Sequence, residues 1–239
     1  MKTRIALAAC SALVLLGTSG CSSLDSLFGD DAPEPPPPSA TPVEADLVNS
    51  QFTRDGTFQS HISAKGAKGI DFVYTLYPTK ATPRTNEWFP KGNKYFSFTF
   101  QAYDLDRKIR DPFETKRLVY LKSMSVTSST ITVDGGPTQT PYELDVNAAK
   151  ATFDPEPLTT KYGMLITSPK GAFEIRNQEI GPMSADTRGL ELTFRAIVNV
   201  EKRPGSGVFL KRAIEQIVPI AIFESDDATV VADIPVNAN

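Results

Sequence analysis

Residues 95–102 read YFSFTFQA, and this run decides the fold. Phe96, Phe98, Phe100 and Ala102 occupy every second position, with polar side chains between them. Successive side chains of a β-strand point to opposite faces, so a period of two places these four residues on one face. The run therefore predicts a half-buried strand with one apolar face.

The same alternation recurs along most of the chain. Residues 188–200 repeat it over a longer span, with Leu190, Leu192 and Phe194 among the residues of the apolar face. Glycine and proline turns separate the strand-like segments, and helices do not alternate with them. The pattern predicts a mainly β fold, namely an antiparallel β-sandwich. Further strands are expected at 57–64, 70–77, 117–126, 129–134, 142–153, 161–167, 172–177, 220–223 and 229–234.

One segment has a different spacing. Residues 208–218 place Leu210, Ile214, Ile217 and Val218 at helical intervals, and a proline follows them. Intervals of three and four residues bring apolar side chains to one side of a helix, and proline ends helices. We therefore expect one short helix near 208–218.

The amino terminus has the pattern of an export signal. Lys2 and Arg4 precede an uncharged apolar run at 5–16, and the small residues GTSG then lead to Cys21. The apolar run is shorter than the about 20 residues that a transmembrane helix needs, and it suits a signal peptide. We expect residues 1–20 to be removed.

The segment 16–21, LGTSGC, resembles the lipobox of bacterial lipoproteins, although Thr18 stands where that family usually has an aliphatic residue. The resemblance implies that Cys21 carries acyl chains that anchor the protein to a membrane. Ser22 follows the cysteine, and a residue other than aspartate at this position resembles the sorting signal for the outer membrane of double-membrane bacteria. The expected location is therefore the cell envelope, with a lipid anchor in the outer membrane.

Residues 21–46 predict a lipidated cysteine followed by a disordered, proline-rich tether. The consecutive prolines at 35–38 fix the backbone and remove amide donors, which favours an extended spacer. The globular domain is then expected at 47–239. A second proline-rich segment, at 154–159, is where a subdivision of that domain would fall.

The charge of the globular part is nearly balanced. The chain has 25 basic and 28 acidic residues. Loss of Lys2 and Arg4 leaves 23 basic residues, and setting aside the six acids before Arg54 leaves 22 acidic ones. A near-neutral domain lacks the basic footprint of nucleic-acid binding, so no nucleic-acid partner is expected. The basic clusters at 107–110 and 202–203 predict solvated turns rather than phosphate sites.

The residues favour a non-enzymatic protein. His61 is the only histidine, and Ser60 beside it would point to the opposite face of the expected strand, which disfavours a Ser-His-Asp triad. Motifs of nucleophilic, zinc-protease and nucleotide-binding sites are absent from the sequence, although a pair of carboxylates could still serve a glycosidase. With Cys10 removed and Cys21 acylated, the domain has no thiol for a disulfide or a zinc site. No cofactor or metal is expected beyond the lipid at Cys21.

Asp104, Asp106 and Asp111 form a candidate calcium group, because alternating carboxylates on a loop can ligate this ion. Arg107 and Arg110 bring positive charge into the same loop, and it lacks the glycine turn and the terminal glutamate of an EF-hand. A polar loop is the favoured interpretation, with calcium binding as the alternative.

The expected loop at 79–93 contains the sole tryptophan and is the candidate binding loop. Trp88, Phe89 and Lys91 are the candidate contacts for a protein partner or a glycan, because aromatic side chains beside charges suit both. The alternative is that Trp88 and Phe89 close the end of the sandwich. Trp88→Ala would decide between them, because a large loss of stability with no lost partner would support closure of the sandwich, and an intact fold with a lost partner would support a binding contact.

Two functions follow as expectations. The first is a membrane-anchored envelope lipoprotein that acts as a non-enzymatic interaction or structural module and binds an envelope protein through its edges and loops. The second is a glycan-binding or carbohydrate-active domain. In both cases the lipid holds the protein to the membrane.

Overall fold

The computed structural model describes residues 48–80, 86–133 and 135–229. These residues belong to one compact unit, which spans Thr41–Asn239. The expected signal peptide, Cys21 and the tether lie outside the described residues. None of the helices within the described ranges has the length and hydropathy needed to cross a bilayer.

The fold consists of two antiparallel sheets, as the alternation predicts. The first sheet has the order β1-β2-β3-β8, and the second has the order β10-β9-β4-β7-β6, with β5 paired to β4. Two short helices, α1 (Gln51–Asp55) and α2 (Ala148–Ala151), accompany the sheets. The strands are β1 (Phe58–Ser63), β2 (Ile70–Thr79), β3 (Lys94–Asp104), β4 (Val119–Thr132), β5 (Glu143–Asn147), β6 (Thr159–Thr160), β7 (Gly163–Leu165), β8 (Phe173–Ile180), β9 (Thr187–Glu201) and β10 (Phe209–Ala221).

The core lies between the two sheets and is rich in aromatic rings. Phe98 of β3 meets Phe194 of β9 edge to face, with ring centroids 5.0 Å apart. Tyr74 of β2 packs on Phe100 at 4.3 Å and on Phe194 at 5.4 Å. All of these side chains are buried, and they belong to one cluster that draws on both sheets. The apolar faces predicted for 95–102 and 188–200 are thus the two inner walls of the sandwich.

The expected helix at 208–218 is wrong, because the segment forms β10, which pairs with β9 along its whole length. Leu210, Ile214 and Val218 are four residues apart, and four is also an even number. Residues at even spacing share one face of a strand, so the interval suits both structures. Ile217 breaks the strand period, and it is 53% exposed on the outer face.

Two further segments differ from the expectation, and a third is not described. The segments 117–126 and 129–134 are one strand, β4, because its pairing with β9 continues without a break through residues 126–129. The buried Ser128 hydroxyl there exchanges hydrogen bonds with the backbone of Tyr142 at 2.7 and 2.8 Å. Only the first half of 142–153 is extended, since the alanine-rich run after it forms α2. Most of the expected strand at 229–234 lies outside the described residues.

The connections between the strands gather at two ends of the sandwich. The N-terminal end contains Val48 and the connections at 86–93, 181–186 and 222–229, which contact one another. The opposite end contains the connections at 64–69, 105–118, 166–172 and 202–208. The antiparallel order of the strands therefore brings four segments that are distant in sequence to one end.

Candidate functional site

Trp88 lies in the core and has no exposed surface. Its ring meets Phe52 of α1 edge to face at 4.9 Å, and its carbonyl oxygen accepts a 2.8 Å hydrogen bond from the Phe223 N–H. A side chain without exposed surface cannot contact a partner or a sugar, so the expected contact role of Trp88 is corrected to a core role. The alternative interpretation, in which the tryptophan closes the end of the sandwich, agrees with this position.

The neighbours of Trp88 complete this closure. Phe89 is half-buried with its ring 6.4 Å from that of Phe223, and the exposed Lys91 donates a 2.8 Å hydrogen bond to the Asp226 carbonyl. The fully buried Lys94 ammonium donates to the carbonyls of Pro90 and Gly92, and burial lowers its pKa to about 8. The segment thus ties the chain after β10 to the N-terminal end.

His61 is exposed on β1, and its Nδ1 lies 2.6 Å from Oδ2 of Asp71 on β2. The register of β1 and β2 sets Ser60 opposite the buried Tyr74, so Ser60 faces inward while the imidazole faces outward. The Ser60 hydroxyl therefore lies on the other face of the sheet from the His61–Asp71 pair and cannot act with it as a nucleophile, as the strand pattern predicts.

The three candidate calcium ligands have other partners. Oδ1 of Asp104 and Oδ2 of Asp106 both accept hydrogen bonds from Nη2 of Arg117, at 2.7 and 2.8 Å. Asp111 Oδ2 accepts a 2.9 Å hydrogen bond from the Lys108 N–H and so closes a turn. No three His, Cys, Asp or Glu side chains of the described ranges gather as a metal site requires. In the described structure a guanidinium lies between the carboxylates of Asp104 and Asp106.

Asp104 and Arg117 form a buried ion pair. Their side chains are 1% and 10% exposed, and the carboxylate also accepts a 2.8 Å hydrogen bond from the Arg117 backbone N–H. Burial alone raises the pKa of Asp104, but the hydrogen bonds and the positive charge of Arg117 together outweigh burial, and the pKa lies below its usual value. This pair joins the end of β3 to the start of β4.

The same guanidinium anchors a third connection. Nη1 of Arg117 donates a 2.7 Å hydrogen bond to the carbonyl of Lys68, in the turn between β1 and β2. Gly69 next to it has a positive φ of 80°, and a Cβ there would lie 2.7 Å from Nη2 of Arg117. Only glycine suits both the backbone conformation and the space, so the turn can approach Arg117 closely.

Arg117 thereby organises a surface that we call the basic end. Arg107 of the basic cluster at 107–110 and both residues of the cluster at 202–203, about ninety residues later in the sequence, line one cavity of about 150 Å³ together with Asp104, Asp106 and Arg117. Exposed lysines of the neighbouring turns add to the charge. The basic end comprises the exposed side chains of Lys65, Lys68, Arg107, Lys108, Arg110, Lys170, Lys202 and Arg203.

Three acidic groups at the basic end are engaged within the fold. Asp104 and Asp106 pair with Arg117, and the buried Glu201 carboxylate accepts hydrogen bonds from the backbone of Leu118 and Gly207 at 3.2 and 2.9 Å. Asp104 and Glu201 therefore direct their charge inward, whereas Asp106 and Glu114 are exposed among the more numerous arginine and lysine heads. The surface that results can attract an anionic group.

Apolar side chains project among these charges. Leu105, Ile109 and Val208 are 64%, 53% and 48% exposed, and all three lie in the connections of the basic end. Exposed apolar groups beside arginines are typical of the contact surfaces of proteins. The basic end thus combines positive charge with apolar contact area.

The position of the two basic clusters in the sequence already indicates that they share one surface, although each cluster was interpreted separately above. Each cluster follows a long alternating strand, and the two clusters come after β3 and β9. Both strands run in the same direction across the sandwich, so both clusters arrive at the same end. Both clusters are exposed, as expected of solvated turns. The expectation treated them as separate turns, whereas in the structure the two turns lie side by side.

Comparison with known proteins adds no assignment. Neither the family models nor the curated proteins contain a match to this chain.

Replacement of the tryptophan tests its role in the core. Trp88→Ala should lower the free energy of unfolding by about 3–5 kcal/mol, because a large buried ring leaves a cavity. Denaturant unfolding followed by circular dichroism measures the change. The matched control is the exposed Lys91→Ala, which should change stability by less than about 0.5 kcal/mol. Unchanged stability of Trp88→Ala would contradict the core role.

The buried ion pair should make stability depend on pH. A carboxyl whose pKa is depressed in the folded state stabilises the fold above its unfolded pKa of about 4, and that contribution is lost as the pH falls toward the folded value. Asp104→Asn should therefore cost about 3 kcal/mol at pH 7, and the difference from the parent should narrow below about pH 4. Urea unfolding at a series of pH values measures this. The exposed Glu114→Gln is the control, and a cost that stays constant with pH would contradict the assignment.

Proposed function

We propose that this protein is a lipid-anchored, non-enzymatic interaction module of the bacterial cell envelope, and that its basic end binds an acidic surface of an envelope protein. The observation that carries the proposal is the convergence of two basic clusters and three exposed apolar side chains on one end of the sandwich. The membrane attachment in this proposal is the lipid at Cys21, which is expected because residues 16–21 resemble the lipobox of bacterial lipoproteins.

The composition of the basic end suits a protein partner. Arginine is enriched at the centres of protein interfaces because its planar fork can bind a carboxylate through two hydrogen bonds. Arg107 and Arg203 line the cavity, while Leu105 and Ile109 offer apolar area beside it. Positive potential would also speed the encounter with an acidic partner.

The buried polar groups here support a binding role over catalysis. Asp104 is the buried acid beside the cavity, and Arg117 and the Asp106 N–H donate to its two oxygens. A carboxylate held in its ionised form by such donors is unsuited to act as a general acid near neutral pH. Its role is to fix the connections that present the arginines.

An aromatic cluster favours glycan binding as the second candidate. Tyr162 and Phe209 are half-buried with ring centroids 4.2 Å apart, and Tyr120 lies 5.5 Å from Phe209. The three rings lie where β4, β7 and β10 approach the basic end. Aromatic faces beside lysines could receive the rings of an acidic polysaccharide.

The membrane attachment is tested at Cys21. Cys21→Ser should move the full-length protein from the membrane fraction to the soluble fraction of lysed bacteria, because several acyl chains give nearly permanent attachment and their loss removes it. Immunoblotting of the separated fractions measures the distribution. Cys10→Ser, within the expected signal, is the matched control and should remain with the membrane. Membrane retention of Cys21→Ser would contradict the anchor.

Reversal of charge tests the basic end. A photo-crosslinking amino acid at Leu105 should capture a defined envelope protein in cells, and the same residue at the exposed Thr127 of β4 should not. The triple variant Arg107→Glu, Lys202→Glu and Arg203→Glu should abolish the adduct. Each of these exposed substitutions should change the free energy of unfolding by no more than about 0.5 kcal/mol relative to the parent.

Two outcomes would oppose the proposal. A Leu105 adduct that persists in the triple variant would show that the basic charge is dispensable. Absence of a protein adduct, combined with sedimentation of the parent but not of the triple variant with purified peptidoglycan, would favour the glycan candidate.

A further inference from the structure

Strand β10 forms one edge of the second sheet and has an unpaired side. It pairs with β9 from Phe209 to Ala221, a length of 13 residues, and no other strand in the described part of the chain pairs with its second side. An edge of this length is a ready template for another strand. Ile217 adds an apolar side chain that is 53% exposed on the outer face of this edge.

Hydrogen bonds around β10 show which backbone groups face outward. Ile222 donates its N–H to the Arg188 carbonyl of the β9 side, at 3.0 Å, whereas Ala221 donates to Oγ1 of Thr53 at 3.0 Å. Even-numbered residues therefore direct their N–H groups toward β9, and odd-numbered residues direct them away. Because Pro219 has no N–H, the free part of the edge runs from Phe209 to Ile217.

We propose that this edge pairs with the same edge of a second copy of the chain, in an antiparallel arrangement around a twofold axis at Ala213. In this register, Lys211 lies directly opposite Glu215 of the second copy, and Phe209 lies opposite Ile217. Each pair occurs twice by symmetry, and the small Ala213 meets its own copy at the axis. An isologous contact of this kind closes with two chains.

The charges select this register over its neighbours. Antiparallel edges also allow axes at residues 211, 212, 214 and 215. With the axis at 211, 212 or 215, the charged side chain at the axis (Lys211, Arg212 or Glu215, respectively) lies opposite the same residue of the second copy. Like charges that face each other in this way are unfavourable. The axis at 214 places Lys211 opposite Ile217 and leaves Glu215 opposite an alanine. Only the axis at Ala213 sets opposite charges against each other.

The outward N–H groups of the edge are available for this pairing. Those of Ala213, Glu215 and Ile217 have no hydrogen-bond partner within residues 48–80, 86–133 and 135–229. In the proposed register they donate to the carbonyls of Ala213, Lys211 and Phe209 of the second copy, and the Lys211 carbonyl accepts this bond beside its 2.7 Å hydrogen bond from Nη1 of Arg212. A continuous sheet that passes through both molecules results.

A charge swap tests the register. The full-length parent purified in detergent should behave as a dimer in sedimentation equilibrium. Lys211→Glu and Glu215→Lys should each raise the dissociation constant at least about tenfold, since like charges then face each other in two symmetry-related pairs. The double variant with both substitutions should restore the dimer, because it recreates opposite-charge pairs.

Two controls separate pairing from other effects of charge. Lys122→Glu changes an exposed lysine of β4 away from the edge and should leave the dimer intact. Arg195→Ala removes the 3.1 Å ion pair between Arg195 and Glu215 within one chain. Its effect on the dissociation constant shows how much of the effect of Glu215→Lys comes from the loss of this internal ion pair. A monomeric parent, or a double variant that stays dissociated like the single ones, would overturn the proposal.

A cysteine at the axis provides an independent measurement. Directly opposed residues of a hydrogen-bonded antiparallel pair have Cα atoms about 5.5 Å apart, which is within the range of disulfides. Ala213→Cys should therefore form a covalent dimer on mild oxidation, whereas Thr193→Cys on the interior strand β9 should not. Because Cys10 and Cys21 are the only cysteines of the chain, the parent gives the background. Failure of Ala213→Cys to form a covalent homodimer, or its crosslinking to a different protein, would contradict pairing with a second copy.

Discussion

Contact between aromatic side chains across the two sheets is the interaction on which the rest of this structure depends. Phe98 and Phe100 on one wall meet Phe194 on the other, with Tyr74 between them. The described domain has no cysteine, so burial of apolar surface has to offset the loss of chain entropy without the help of a disulfide. The basic end is positioned by this core, because the strands that build its walls also determine where each connection emerges.

Much of the architecture follows from the sequence because one face of each long strand is buried. The alternation at 95–102 and 188–200 specified the two walls, and a shift by one residue would have exposed every phenylalanine. The edge strand β10 was harder to predict. Arg212 and Gln216 interrupt its inner row, where half-burial tolerates polar side chains, so the remaining apolar residues mimic a helical interval. Local spacing could not resolve this ambiguity, whereas pairing with β9 does.

The candidate sites show a different limit of sequence reasoning. Residue type made Trp88 a candidate for either a binding contact or closure of the sandwich, and its burial depends on tertiary contacts with Phe52 and the segment after β10. The spacing of Asp104 and Asp106 similarly offered calcium binding as an alternative, but it could not show that Arg117, more than ten residues later, lies between the two carboxylates. The basic end was visible only as two separate clusters. In each case the missing information was which distant segment comes to lie beside the residue.

Strand β9 runs the whole way from the N-terminal end of the described domain to the basic end. At one end of this strand, Gly189 lies against Val48, the first described residue, and at the other end Glu201 leads into the basic hairpin at 202–208. With 15 residues and a rise of roughly 3.3 Å per residue, β9 is about 50 Å long. The sandwich therefore separates Val48 from the basic hairpin at 202–208 by about the length of this strand.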